Sequence, residues 1–369
     1  MTGTVSITML PARDGDCLFV EALDFRLLID GGRSLTGRKA LPEFLGALPV
    51  RDGKPTIDLM ILTHVDADHI AGLLTFLGKG AGGFMIGEVW FNGLDHHKTA
   101  AGLFVPPRTQ ESGVNPKLPS GTLNVIQALK FHEFVQSLSI PWNERAKGEV
   151  LMVLQDGSLP RLTLTPGLDL VLLGPPKQKL ADFYPEWDAA VRKLNKPPTL
   201  EKRPKFIPTV ENLHLLAKLQ DEPDRTKPNG ASIAFILEAG EGDKKRRVLF
   251  AADAHPDDIL SGLERYTNDG RIFFDAIKVS HHGSARNSTS SLIDKLTSPY
   301  WLVSTDGSRH EHPDTEALAR IVLTPGDEKT LVFNYRSKHN KRWDDKDLRS
   351  TFRYRTCYGD GKASVTIVV

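Results

Sequence analysis

Only two of the 369 residues are cysteine, Cys17 and Cys357, too few to staple a chain of this length. The fold must be held by a buried core, and a reducing cytoplasm is the expected setting. An excess of one charge is also missing: Lys+Arg number 47 against Asp+Glu 46. That balance excludes a global pull toward polyanions and makes any basic surface local. Long hydrophobic runs are absent, since none approaches the roughly 20 apolar residues that span a bilayer. The N-terminal apolar stretch is broken by Pro11 and Arg13, so it reads as a strand and not as a signal peptide. No membrane contact is expected, and no internal repeat of fixed period is visible.

What is present is alternation. TVSITML, CLFVEA and FRLLID read as strands of one twisted sheet, closed by Gly31-Gly32. An amphipathic helix at about 40–48 leads to IDLMIL (57–62), whose unbroken apolarity predicts a strand covered on both faces. From about 95 to 228 the texture changes to proline clusters, a helix at 122–138, a charged helix near 209–220 and two strands, LTLTP and LDLVLLG. This region is expected to be the middle of the sheet decorated by surface insertions, within one domain spanning 1–369. After Asn229 strand texture resumes with ASIAFILEA, RVLFAAD, FFDAIKVS, YWLVSTDG, LVFNY and SVTIVV, separated by helices near 256–264, 288–296 and 313–323. Strands in both halves with helices interposed predict an α/β fold of two mixed sheets packed face to face, helices outside.

The densest chemistry is HVDADH (64–69), two imidazoles and two carboxylates directly after the apolar strand, where α/β folds tend to place their sites. On an extended loop residues two apart face the same way, so His64 and Asp66 converge on one point. Asp68 and His69 fall at the turn into the next helix and face a second point beside it. Mixed imidazole and carboxylate donors suit zinc, manganese or iron. The plainer alternative is that Asp66 and Asp68 cap the helix while the histidines satisfy each other.

LTHVDADHIAG resembles the signature of the metallo-β-lactamase superfamily, in the variant of the soluble ComEC-type competence domain that has an aspartate, here Asp66, at the second ligand position. The likeness continues through GDCLFVEA and LLIDGG, PNGASIAFIL, LFAADAH, VSHHGSARNS and HEHP (310–313). It implies a metallo-β-lactamase αββα sandwich. It also implies a metal set of His64, Asp66, Asp68, His69, Asp253 and His281, with Asp253 bridging two ions and His281 completing the second site. His282, adjacent on what reads as a strand end, is expected to bond substrate or donate a proton. His312 is the expected substrate-side group, a general acid or phosphate contact, with a loop cap before the next helix as the equal alternative. The superfamily's third histidine of the first site is missing: LLGPP places Gly174 there, and His214 is a poor substitute.

The implied cofactor is Zn²⁺ or Mn²⁺, one or two ions per chain, lowering the pKa of a water toward about 7. Asp66 and Asp68 are expected to tune charge and orient that water, Asp68 serving as both ligand and catalytic group. The expected function is a metal-dependent phosphodiesterase or nuclease acting on nucleic acid or nucleotides. Tyr335 to Arg355, a run of basic and aromatic residues, would track a backbone and stack bases, and 192–205 is a second basic stretch. Two other readings stay open: hydrolysis of a carbonyl substrate such as a lactone, thioester or β-lactam, and a non-catalytic module with a structural metal that binds a protein partner through 95–228.

Overall fold

The computed structural model describes residues 3–79, 81, 83–103, 123–192, 206–219, 222–326 and 328–369. In chain order its main strands are β1 (Val5–Met9), β2 (Leu18–Ala22), β3 (Phe25–Ile29), β4 (Leu59–Ile61), β5 (Val89–Trp90), β6 (Arg161–Thr165), β7 (Leu168–Gly174) and β8 (Ala234–Ala239). They continue with β9 (Arg246–Phe250), β10 (Ala276–Lys278), β11 (Tyr300–Val303), β12 (Lys329–Phe333), β13 (Tyr354–Tyr358) and β14 (Val365–Val368). One six-stranded sheet runs β14-β1-β2-β3-β4-β5 and an eight-stranded sheet runs β13-β12-β11-β10-β9-β8-β7-β6. Both are mixed: β3, β4 and β5 pair in parallel, as do β9 through β13, and the remaining pairs are antiparallel.

Period-two alternation explains the layering. Phe235 and Leu237 of β8 point inward, where they join Val20, Leu27, Ile61 and Trp90 of the facing sheet. Ile236 between them points outward and packs with Leu249, Trp301 and residues of helices α4 (Pro256–Tyr266) and α5 (Thr315–Val322), among them Ile259, Leu263, Leu318 and Ile321. On the opposite outer face Phe19, Leu28 and Met60 meet helices α1 (Ala67–Gly78), α2 (Leu123–Ser137) and α3 (Lys177–Arg192) through Ile70, Leu73, Phe131 and Phe183. The order is helix, sheet, sheet, helix, an αββα sandwich. Among the described residues no helix is long and apolar enough to cross a membrane.

Four expectations change in detail. The strand expected at 57–62 is interrupted, because the Asp58 carboxylate accepts from the backbone N–H of Arg26 at 2.7 Å and from Arg51 at 2.9 Å. LTLTP and LDLVLLG form the outer edge of the second sheet rather than its middle. The helices expected near 209–220 and 288–296 contract to Leu213–Lys218 and Ser290–Ile293. The second basic stretch, 192–205, lies outside the described residues except for the helix end at Arg192.

Candidate metal centre

Parallel strands bring the site residues to one rim, because their carboxyl ends all open on the same edge of the sandwich. Asp30 follows β3, His64 and Asp66 follow β4, Asp253 follows β9, and His281 and His282 follow β10. Asp66 occupies the N-cap position of α1, yet its side chain makes no cap bond; it accepts instead from Asn124 Nδ2 at 2.6 Å. The capping role considered for it is therefore not what the carboxylate does. Helix α1, which carries Asp68 and His69, is set against the 30–33 loop by Gly31 N–H donating to His69 O (2.8 Å) and Gly72 N–H donating to Gly32 O (2.8 Å).

Asp253 lies at the centre of the cluster. Its Oδ2 is 3.4 Å from His69 Nε2, 3.6 Å from His281 Nε2, 3.7 Å from His282 Nε2 and 3.8 Å from His64 Nε2. Asp68 Oδ2 stands 3.4 Å from His282 Nε2 and 4.0 Å from His69 Nε2, and Asp66 Oδ2 is 3.8 Å from His64 Nε2. The Nε2 atoms of His64, His69 and His282, with Asp253 Oδ1, are buried and make no hydrogen bond. Buried polar atoms are nearly always paired, so orphans that face one another fit a cation between them. His64, His69 and Asp253 bring ligand atoms within 4.8 Å of one another, as do Asp68, His69 and His282.

The far nitrogen of each ring is held, which fixes which way the near one points. His69 Nδ1 is 2.8 Å from Asp30 Oδ2, and His64 Nδ1 is 3.1 Å from Thr63 Oγ1, whose hydroxyl donates to Asp30 at 2.7 Å. His282 Nδ1 donates to Ser304 O at 2.9 Å and lies 3.3 Å from Asp16 Oδ1. Asp16 is in turn paired at 2.7 Å with Lys278 Nζ, whose side chain is 1% exposed. His281 Nδ1 is 2.9 Å from Asn287 Oδ1 and 3.5 Å from Asp224 Oδ2.

Electrostatics divide the rings. Burial and then the charge of His69 press His64 down to about 3, so it stays neutral. Burial opposes the charged form of His282 as well, but Asp253 and Asp16 outweigh it and carry the group up to about 10. His281 rises to about 9 in the same way, against burial, through Asp253 and Asp224. Asp66 is pushed up to about 7 by burial and then by the carboxylates of Asp68 and Asp253. Without a cation the acids are balanced by imidazole protons, which an incoming ion would displace.

The turn Ser280–Gly283 is a kink through left-handed His281 and His282 and not a strand end, and both face Asp253 from it. His282 is the one within reach of Asp68. His312 sits beside them, its ring centroid 5.4 Å from that of His281 and its Nδ1 3.4 Å from Asp314 Oδ1. His214 is on the helix Leu213–Lys218 and packs on Phe352. A side chain at Gly174 would meet only Ser232 O and Ala234 Cβ. Sequence reasoning passed over Asp16, Asp30, Lys278, Asp224 and Asn287. Asp16 and Asp30 lay inside quoted motifs, whereas Asp224 had no signal at all.

The basic and aromatic run of 335–355 is only partly a surface. Trp343 and Tyr354 are buried at 0% and 2% exposure, so they pack the core and cannot stack on bases. Arg336 lies over the Tyr358 ring at 4.8 Å and pairs with Asp344 at 3.0 Å. Lys338, Lys341, Arg342 and Lys346 remain exposed.

Residues 10–118 match the sequence model of the metallo-beta-lactamase superfamily. No curated protein matches the chain. Similar solved structures include the metallo-beta-lactamase fold protein YhfI from Bacillus subtilis, 12% identical with 100% of both chains covered and a TM-score of 0.42. The Rm3 metallo-beta-lactamase is 12% identical over 72% of this chain and 71% of its own, at a TM-score of 0.29. Metallo-beta-lactamase SMB-1 bound to 2-mercaptoethanesulfonate is 13% identical over 85% and 88%, at a TM-score of 0.31. The stretch that supplies Asp16, Asp30, His64, Asp66, Asp68 and His69 is therefore similar in sequence to the metallo-beta-lactamase superfamily.

Proposed function

We propose that the protein is a metal-dependent hydrolase that cleaves phosphodiester bonds in nucleic acid or nucleotides. The observation that carries the metal dependence is the set of orphaned Nε2 atoms on His64, His69 and His282 gathered around Asp253. Asp68, His69, Asp253 and His282 would hold one ion, with His282 in the place that the resemblance implied for His281. His64, Asp66 and Asp253 would hold the other. Carboxylates on both sides of Asp253 make an oxygen-rich set, which favours harder ions such as manganese and still admits zinc.

A divalent ion bound there supplies a Lewis acid for the phosphoryl oxygen and acidifies a water. The chain's own residues do the rest. Asp66 and Asp68 accept hydrogen bonds from the attacking water and orient it. His312, set near Asp314 through Nδ1 and kept neutral mainly by burial, would hydrogen-bond the substrate at the rim. The exposed cations Lys338, Lys341, Arg342 and Lys346 offer a polyanionic substrate a path.

The test sets single-stranded DNA and bis(p-nitrophenyl) phosphate beside a lactone and a nitrocefin-type amide, with Mn²⁺ or Zn²⁺ present. Cleavage of the phosphodiesters is expected, lost in Asp68→Asn and Asp253→Asn. Preferential turnover of the lactone or amide would overturn the substrate class, and protein that retains no ion would overturn the metal centre.

A further inference from the structure

Strand β10 ends at Lys278, and the chain then places two successive non-glycine residues in the left-handed region, His281 (φ 46°, ψ 52°) and His282 (φ 55°, ψ 21°). Each such residue costs on the order of 1–2 kcal/mol, and strain of this kind persists where the surroundings over-determine it. Its effect is to splay the rings, whose planes meet at 77° with centroids 5.8 Å apart. Both Nε2 atoms still approach the same oxygen of Asp253, at 3.6 and 3.7 Å. His282 turns toward Asp68 and has its ring 5.2 Å from that of His69. His281 turns the other way, toward His312.

A dedicated set of side chains holds His281 in that direction. Asp224 is 4% exposed and accepts from Asn229 Nδ2 at 2.6 Å and from Asn287 Nδ2 at 3.1 Å, while standing 3.5 Å from His281 Nδ1. Asn287 Oδ1 completes the hold at 2.9 Å. Carboxylate and amide behind the far nitrogen, with the near nitrogen aimed at a shared acid, is the arrangement that orients a ligating imidazole. The His281 side chain is 21% exposed against 1% for His64 and His282, which leaves it room to close on an ion. Among the described residues β7 ends in Gly174, which has no side chain to offer in its place.

We infer that the adjacent histidines are divided between the two ion positions. His282 serves the Asp68 and His69 side, and His281 joins His64, Asp66 and the shared Asp253 as a fourth protein side chain on the other side, with Asp224 as the positioning residue that acts through Nδ1. The inference rests on the metal-centre reading given under Proposed function. It makes the first position a full protein site built from His64, Asp66, Asp253 and His281.

The full-length protein, stripped with chelator and checked for folding by circular dichroism, is titrated with Zn²⁺ by calorimetry, and bound ion is counted by elemental analysis. Wild type is expected to hold two ions per chain, and His281→Ala and His282→Ala one each. The Co²⁺-loaded forms of those two variants are expected to differ in visible absorption, because each keeps a different ligand set. Asp224→Asn is expected to retain both ions while weakening one by about 10–100-fold. His281→Gln, closer in size, repeats the count if the alanine variant unfolds. His281 variants that bind two ions with unchanged affinity, or a wild type whose single ion survives loss of His281, would overturn the inference. Wild-type protein that binds no Zn²⁺ would instead remove the metal centre itself, and this inference with it.

Discussion

Oδ2 of Asp30 lies 2.8 Å from Nδ1 of His69, so the end of β3 sets the direction of a ring carried by helix α1. The same carboxylate accepts from the backbone N–H and the hydroxyl of Thr63, at 2.8 and 2.7 Å, immediately before His64. One buried acid therefore orients both histidines of the 64–69 motif. Asp30→Asn keeps the shape and tolerates the left-handed φ of 57° at this position. We expect it to weaken Zn²⁺ binding by about 10–100-fold with little loss of stability. Asp30→Ala leaves the Thr63 and His69 groups without an acceptor, at about 1–3 kcal/mol for each that stays buried. Calorimetric titration and urea unfolding of the two variants check both halves, and wild-type affinity in Asp30→Asn would refute the first.

Lys278 and Asp16 form an ion pair whose side chains are 1% and 3% exposed. Replacing one member leaves the other charged or forces it to neutralise, which costs about 3–5 kcal/mol. Lys278→Met is expected to lose that much in urea unfolding, and the double variant Lys278→Met, Asp16→Asn to regain most of it. A double variant no more stable than the single one would mean that packing of the lysine stem, and not its charge, holds this part of the core.

The difference between what was and was not legible in the sequence follows from range. The motif HVDADH is local, and its ligand character shows because four donors sit in six residues beside an apolar strand. The two-sheet architecture shows because alternation such as Phe235, Ile236, Leu237 is a period-two signal carried by each strand separately. Asp224 is invisible in this sense: it is one of three acids in a proline-containing stretch, and only the folded chain places it behind His281. Asp16 shows only as part of the motif GDCLFVEA, and its partner Lys278 comes from a distant strand. Trp343 and Tyr354 misled in the opposite direction. Among basic neighbours they read as a stacking surface, yet Tyr354 donates its hydroxyl to Trp343 O and both are core.

Gly72 provides a test of how α1 is seated. A Cβ placed there would stand 1.7 Å from Gly31 O, so the helix reaches the Asp30 loop only because this position is bare. Gly72→Ala must push α1 away from that loop, moving Asp68 and His69 with it. Overpacking of this kind costs about 1–3 kcal/mol, and more where backbone has to move. We expect lower urea stability together with weakened Zn²⁺ binding. Gly46→Ala, where a Cβ meets nothing within 4 Å, is the control and should leave both unchanged. Loss of stability without loss of ion affinity would show that the loop follows the helix.

Away from the metal centre, Glu238 on β8 gives a pH dependence of definite sign. Its Oε2 accepts from Arg161 Nη1 at 2.7 Å and Lys245 Nζ at 3.0 Å, and its Oε1 accepts from the Tyr266 hydroxyl. Burial raises the pKa of this acid, but the bonds from Arg161, Tyr266 and Lys245 overcome that and lower it from 4.5 to about 2. In the unfolded chain the group takes its proton near 4.5, whereas the folded protein resists until about 2. The stability it contributes is present above about pH 4.5 and drains away as pH falls toward 2. Arg161 and Lys245 are partly exposed, at 45% and 32%, so solvent screens them and the contribution is about 1–2 kcal/mol. Urea midpoints of wild type and Glu238→Gln at pH 7, 5 and 3 isolate it from the other carboxylates. The gap between the two proteins should be widest at pH 7 and 5 and narrow at pH 3, and a gap that stays constant would show that Glu238 stabilises the strand through shape rather than charge.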